Sequence, residues 1–75
     1  MSAIPSVNAR KLMQVLRQLG FVHTRSRGSH RRFEHPDGRK TVVPVHRGRD
    51  IPRGLLQQIV TLDIGMEMQE FLDLL

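Results

Sequence analysis

The 75-residue sequence contains no cysteine, tryptophan or tyrosine, and phenylalanine occurs only three times. Without cysteine, neither a disulfide nor a thiolate-bound zinc ion can hold so short a chain together, so one hydrophobic core must do so. No apolar run approaches the roughly 20 residues of a membrane-spanning helix, and the first seven residues lack the apolar segment of a secretory signal. The sequence therefore predicts a single soluble cytoplasmic domain, residues 1–75, with no membrane association and no room for a deep cofactor cleft.

Basic residues are also absent from the C-terminal part of the chain. All twelve Lys and Arg residues lie in residues 1–53 together with three acidic residues, a net charge of +9. Residues 54–75 hold four acidic residues and no base, a net charge of −4. Ten of the twelve bases are arginine, whose guanidinium can form two parallel hydrogen bonds with a phosphate. This asymmetry favours a polyanionic partner, most simply nucleic acid.

The first predicted element is an amphipathic helix. Residues 1–7 are predicted to be a short leader in which Pro5 prevents an early helix. Asn8 is a suitable N-cap, and Gly20 is placed to end the helix. Between them the apolar residues follow the i, i+3, i+4, i+7 spacing of a helix with one buried face: Leu12, Val15, Leu16 and Leu19. The pattern predicts a helix over residues 9–19.

Three short strands joined by polar turns are predicted next, at residues 21–25, 30–35 and 40–45. Pro44 cannot donate to a strand ladder, so it belongs at a strand end or on a sheet edge. If Phe33 points into the core, the two-residue period of a strand turns the neighbouring polar side chains outward: His30, Arg32 and Glu34. We therefore expect an antiparallel meander with one face covered by helices and one polar face.

Two more helices are predicted in the C-terminal third. Asp50 is a plausible N-cap, Pro52 suits the first helical turn, and Gly65 ends or breaks the helix. The apolar stripe of the first of these two helices consists of Leu55, Leu56, Ile59, Val60 and Leu62. Residues 66–75 form a short last helix, whose apolar residues either pack on the body or form a protein interface. The predicted core is Leu12, Leu16, Leu19, Phe21, Phe33, Val43, Val45, Leu55, Leu56 and Ile59.

The segment of residues 25–32 holds four arginines and one histidine in eight positions. Arginine binds phosphate and neutralises a charged transition state, and histidine can move a proton near neutral pH. Such a group suits metal-independent RNA cleavage, in which a base removes a 2′-hydroxyl proton and the oxygen attacks the adjacent phosphorus. From the residues alone, phosphate binding without catalysis is the simpler interpretation, and His30 is the candidate base if cleavage occurs.

The four histidines do not form a metal-ligand pattern. His23, His30, His35 and His46 are separated by 7, 5 and 11 residues, with no helical i, i+4 pair and no cysteine. No metal site is therefore expected. His46 begins a basic loop, residues 46–49, which can bind an anion because the N–H groups of the following helix N-terminus are free. For His46 itself, a polar loop residue is a simpler interpretation than a second catalytic residue.

Several pieces of the sequence occur in an order that resembles a known family. They are Leu19-Gly20-Phe21, Arg27-Gly28-Ser29-His30, His35-Pro36-Asp37-Gly38, Val42-Val43-Pro44-Val45-His46, Gly54-Leu55, Ile59 and Glu70-Phe71-Leu72. Over nearly its whole length the chain resembles the HicA (YcfA-like) toxins, small bacterial RNases of type II toxin–antitoxin systems.

The resemblance implies both a fold and an activity. The fold is α+β, αβββα: a three-stranded antiparallel sheet with two helices on one face, similar to double-stranded RNA-binding domains, here with a short C-terminal helix. The activity is cleavage of RNA, chiefly mRNA, which inhibits translation, and a HicB antitoxin covers the active site of family members. The catalytic histidine of the family corresponds to His30, and Gly28 and Ser29 belong to the same motif. Arg31 and Arg32 stand where many members carry apolar or aromatic residues, and they add positive charge beside His30.

These observations lead to one principal hypothesis and two alternatives. The principal hypothesis is a toxin with endoribonuclease (mRNA interferase) activity and no cofactor, a catalytic His30, a HicB-like antitoxin as partner, and RNA-binding residues Arg25, Arg27, Gly28, Ser29, Arg31 and Arg32. The second proton carrier stays open among His46, His35 and an arginine. The alternatives are a noncatalytic RNA-binding module that uses the same arginines, and an adaptor that acts through the acidic, apolar tail.

Overall fold

Along the chain, one helix precedes an antiparallel sheet and further helices follow it, in the order that the sequence predicts. The computed structural model describes residues 4–75. Its elements are α1 (Ala9–Gln18), β1 (Val22–Arg27), β2 (His30–Glu34), β3 (Lys40–Pro44), α2 (Arg53–Gln58), a π-helical segment (Ile59–Ile64) and α3 (Met68–Leu72). The strands lie in the order β1-β2-β3. The predicted αβββα layout with a short C-terminal helix is confirmed.

The two ends of α1 follow from local sequence signals. The Asn8 side-chain oxygen accepts a hydrogen bond from the Lys11 backbone N–H at 2.8 Å, as an N-cap does. At the other end Gly20 has a φ of 96°, and its N–H and that of the next residue bond back to the carbonyls of Arg17 and Leu16. This is a Schellman motif, which requires a residue that tolerates positive φ. The predicted stop at Gly20 is confirmed.

The pairing of β2 with β3 assigns side chains to the two faces of the sheet. Phe33 pairs with Thr41, and Val43 lies two residues further along β3. All three are buried, so their face is the one that the helices cover. Val42 points to the opposite face and is 45% exposed. Pro44 ends β3 on the edge of the sheet, as predicted.

The start of α2 differs from the prediction. The residue before the helix is Pro52, and no side chain caps it. Asp50 is therefore not the N-cap, because its backbone forms an isolated antiparallel bridge with Asn8 instead. This bridge attaches the loop after β3 to the start of α1.

The helix that follows widens into π geometry before Gly65, where φ is 79°. Val60 and Ile64 are buried, and Leu62 between them is 73% exposed. Residues two positions apart on a helix point in different directions, so the assignment of Leu62 to the apolar stripe is wrong.

Polar contacts tie the sheet to the C-terminal helices. The buried Thr41 hydroxyl donates to an Asp63 carboxylate oxygen at 2.8 Å. Arg39 donates to the Ile64 carbonyl at 2.6 Å and to Asp37 at 2.8 Å, and its guanidinium lies 5.1 Å from the Phe21 ring centroid. Arg39 is thus a structural arginine.

Both ends of the described chain join the core. Val7 is fully buried and its carbonyl accepts the Ile51 N–H at 2.8 Å, so the prediction of a leader is wrong at this residue, while residues 1–3 lie outside the described ones. Phe71 is fully buried, which shows that the tail packs on the body. Of the predicted core, seven residues are buried and three are partly buried against it: Leu19, Val45 and Leu55. Buried hydrophobic residues beyond that prediction are Val7, Ala9, Val15, Ile51, Val60, Ile64 and Phe71.

Candidate functional site

Four side chains of the predicted basic segment meet on the exposed face of the sheet. Arg27 pairs with His30, and Arg25 pairs with Arg32, across β1 and β2. Residues directly opposite each other project from the same face. With Val42 they line a shallow depression of about 200 Å³. We call the surface formed by Arg25, Arg27, His30 and Arg32 the cationic face.

A β-bulge in β1 produces this arrangement. The register shifts between His23 and Arg25, which leaves Thr24 as an extra residue. His23 is paired with Phe33 and so lies on the helix-covered side, whereas beyond the bulge Arg25 and Arg27 lie on the other side. Strict alternation from His23 would direct both arginines toward the helices. The bulge therefore brings them to His30, as bulges near functional sites often redirect side chains.

Glu34 adds a negative charge at the border of the cationic face. The Thr24 hydroxyl donates to its Oε2 at 2.7 Å, and Arg32 Nε lies 3.5 Å from the same oxygen. Chiefly the Thr24 hydrogen bond, and after it the charge of Arg32, lowers the pKa of Glu34 below its usual value and outweighs desolvation, which raises it. Glu34 is therefore ionised at neutral pH and is not a proton donor there.

His30 begins β2, pairs with Pro44 of β3 as well as with β1, and is exposed. Within residues 4–75, only the imidazole rings of His23 and His35 form hydrogen bonds, and that of His30 forms none. Both ring nitrogens of His30 are thus open to a ligand. An imidazole with free ring nitrogens can accept and return a proton, and the adjacent guanidinium groups can stabilise negative charge on a phosphate.

The other three predicted site residues lie in or next to the turn behind His30. Gly28 has a φ of 59°, which the first loop position of a type II′ hairpin requires. Arg31 lies on the helix side of the sheet, where its Nη1 donates to the Gly28 carbonyl at 2.7 Å. The Ser29 carbonyl accepts the Val45 N–H at 2.7 Å. The structure thus brings four of the seven predicted residues together on the cationic face. Gly28 and Ser29 form the supporting turn, and Arg31 lies in β2 on the other side of the sheet.

His23 lies on the opposite side of the sheet from His30. Its Nε2 is 3.1 Å from the Arg25 carbonyl oxygen and 2.9 Å from Ser26 Oγ, and its ring stacks on Phe33 at 5.3 Å. A carbonyl only accepts, so Nε2 carries the hydrogen in that contact. It then cannot act as the base that would activate the Ser26 hydroxyl.

The two remaining histidines lie at opposite ends of β2. His35 donates from Nε2 to the Leu19 carbonyl at 3.0 Å, and its ring meets Phe21 edge-on at 5.0 Å. It is a packing residue beyond the far end of the strand. His46 follows Pro44 by two residues and is exposed at the end where His30 lies. Of the histidines considered as second proton carriers, His46 is the one near His30.

The part of the chain that the structure describes offers neither a metal centre nor a membrane-spanning helix. Within residues 4–75, no three or more histidine, aspartate or glutamate side chains are grouped so that they could hold a metal ion. None of the helices in this range is long and apolar enough to cross a membrane.

Residues 9–66 match the family model described as HicA toxin of bacterial toxin-antitoxin. The matched range contains the whole cationic face, its supporting turn and the π-helical segment, and it ends before α3. A search of curated proteins gave no match.

Proposed function

Since the chain belongs to the HicA toxin family of bacterial toxin–antitoxin systems, we propose that it is an endoribonuclease that cleaves mRNA and thereby inhibits translation. As the toxin of such a system it has a cognate antitoxin. The observation that carries the proposal is the exposed His30 among three arginines in the depression on the cationic face.

His30 is the proposed catalytic base. It takes the proton of a ribose 2′-hydroxyl, and the 2′-oxygen attacks the adjacent phosphorus. The bond from phosphorus to the 5′-oxygen of the next nucleotide breaks, which leaves a 2′,3′-cyclic phosphate and, once that oxygen is protonated, a 5′-hydroxyl. Arg25, Arg27 and Arg32 stabilise the extra negative charge on the phosphoryl oxygens. This route needs no metal ion.

A single RNA strand is the proposed substrate. In-line attack by a 2′-oxygen needs a backbone that can rotate, and the depression at His30 is shallow and open. All six residues of β1 are exposed, so a strand can approach along this edge of the sheet. A HicB-like antitoxin that covers the cationic face would block the same approach, and toxin, antitoxin and mRNA would meet in the cytoplasm.

The alternative function is a noncatalytic RNA-binding module. One observation favours it: within residues 4–75 no side chain hydrogen-bonds to the His30 ring, whereas catalytic histidines are commonly oriented by a second group. The same three arginines would then hold the backbone without cutting it.

Expression in bacteria separates the two functions. Wild type and the matched variant His23→Ala, which alters an exposed histidine on the other side of the sheet, should arrest growth and deplete mRNA. His30→Ala should do neither. If His30→Ala depletes mRNA as fast as wild type, the catalytic role is wrong. If no version depletes mRNA while purified wild type still binds RNA, the binding module is correct.

A further inference from the structure

A second concave surface lies at the end of the molecule beside His30. It encloses about 600 Å³ between the start of α1 and the loop that joins β3 to α2. Its lining consists of residues 8–10 and 45–50. We call it the loop groove.

The loop groove carries unpaired positive charge. Arg10 comes from α1, Arg47 and Arg49 come from the loop, and Asp50 is the acidic residue of the lining. All three arginines are exposed, and the salt bridges within residues 4–75 involve other side chains. The lining contains no phenylalanine and His46 is its one aromatic ring, so charge and hydrogen bonds are the main contacts that it offers an occupant.

The shape of the groove is fixed by the backbone. Asn8 and Asp50 form the bridge that joins the loop to α1, and the Val45 N–H donates to the Ser29 carbonyl at 2.7 Å. Gly48 has a φ of 74°, which lets the loop turn back between these two attachments. A preformed site avoids the entropic cost of ordering the loop when a ligand binds.

The chain runs directly from the cationic face into the groove. Pro44 pairs with His30, and the next two residues, Val45 and His46, already line the groove. Two residues of extended chain span roughly 7 Å. A strand that leaves the depression at His30 past Pro44 therefore enters the loop groove within about one nucleotide's reach.

We propose that the loop groove binds backbone phosphates of the same RNA strand that is cut at His30. The inference rests on the proposed function and extends it with a second subsite. Arg10, Arg47 and Arg49 contact phosphates next to the scissile bond, and these contacts do not depend on base sequence. An acidic protein segment is the other possible occupant; RNA is favoured because the groove opens beside the depression that holds His30.

Binding of a single-stranded RNA tests the subsite. All variants are made in the His30→Ala background, so that the RNA is not cut during the measurement. Each phosphate contact adds about −0.7 to the slope of log affinity against log salt, which is roughly fivefold in affinity at about 0.1 M salt. Arg10→Gln should weaken binding about fivefold, and Arg47→Gln with Arg49→Gln roughly 25-fold, with slopes shallower by about 0.7 and 1.4. The matched control is Lys11→Gln, which removes one charge beside Arg10 but from a different depression, lined also by Leu74 and Leu75. It should bind like the parent.

The outcomes keep the subsite and the nuclease apart. If Arg10→Gln and the double variant, both folded by circular dichroism, bind RNA as tightly as Lys11→Gln, the subsite is wrong even when wild type cuts RNA. If they bind RNA normally but lose an acidic peptide, the groove is a protein-binding surface. If wild type fails to cut RNA while the arginine variants lose affinity as stated, the nuclease fails and the subsite stands.

Discussion

At the scale of single residues, His30 differs from the other three histidines in its surroundings. Its outward direction follows from the alternation around Phe33, so this part of the site was predictable from the sequence. The contact of His35 with Leu19 was not, because the two residues lie 16 positions apart on different elements. Spacing alone therefore leaves His35 as a second proton carrier, and only tertiary packing shows it to be structural.

Glu34 gives a prediction at the same scale. Thr24→Val removes the hydroxyl that donates to the carboxylate, so the pKa of Glu34 should rise toward its usual value. Because the folded-state pKa lies below the unfolded-state one, the contact stabilises the fold above the unfolded-state pKa, and this is lost as pH falls through the folded-state pKa. Carboxyl chemical shifts followed by NMR over acidic pH measure the change.

Thr61→Val is the matched control, since that hydroxyl donates to the Gln57 carbonyl, away from Glu34. An unchanged Glu34 titration in Thr24→Val would show that the hydrogen bond does not set this pKa.

At the scale of elements, capping residues in the sequence predict both ends of α1, whereas no local signal predicts the bulge in β1. Asn8 and Gly20 lie next to the helix that they cap, so both ends of α1 could be read from the sequence. The bulge at Thr24 has no comparable marker, because no glycine or proline stands there. Simple alternation from Phe21 would point Arg25 and Arg27 toward the core, and only the pairing with β2 shows that they share a face with His30.

Two glycines provide an element-scale prediction with opposite signs. Gly20→Ala places a side chain at a φ of 96°, with its Cβ 3.0 Å from His35 Nε2, and should destabilise the fold by about 1–2 kcal/mol. Gly54→Ala lies inside α2 with open space around it and should stabilise the fold by about 0.5 kcal/mol. Urea denaturation with an unchanged m-value measures both. Equal stability of the two variants would contradict this account of the α1 stop.

At the scale of the whole molecule, the positive charge of residues 1–53 is concentrated on two surfaces, the cationic face and the loop groove. The cationic face lies on the exposed side of the sheet, and the lining of the loop groove begins at Val45, directly after the Pro44 that pairs with His30. The tail belongs to the core through Phe71, and Met66, Met68 and Leu72 pack against that core, while Leu74 and Leu75 are exposed. This packing weakens the adaptor hypothesis.

The central claim is that His30 cleaves RNA through the ribose 2′-hydroxyl. The most direct measurement compares purified wild type, His30→Ala and His23→Ala on one RNA oligonucleotide and on the same oligonucleotide with a 2′-deoxyribose at the cleavage position. We expect wild type and His23→Ala to leave a 2′,3′-cyclic phosphate and a 5′-hydroxyl, the deoxy substrate to stay intact, and His30→Ala to be slower by at least about 100-fold. Cleavage of the deoxy substrate, or a wild-type rate in His30→Ala, would contradict the claim.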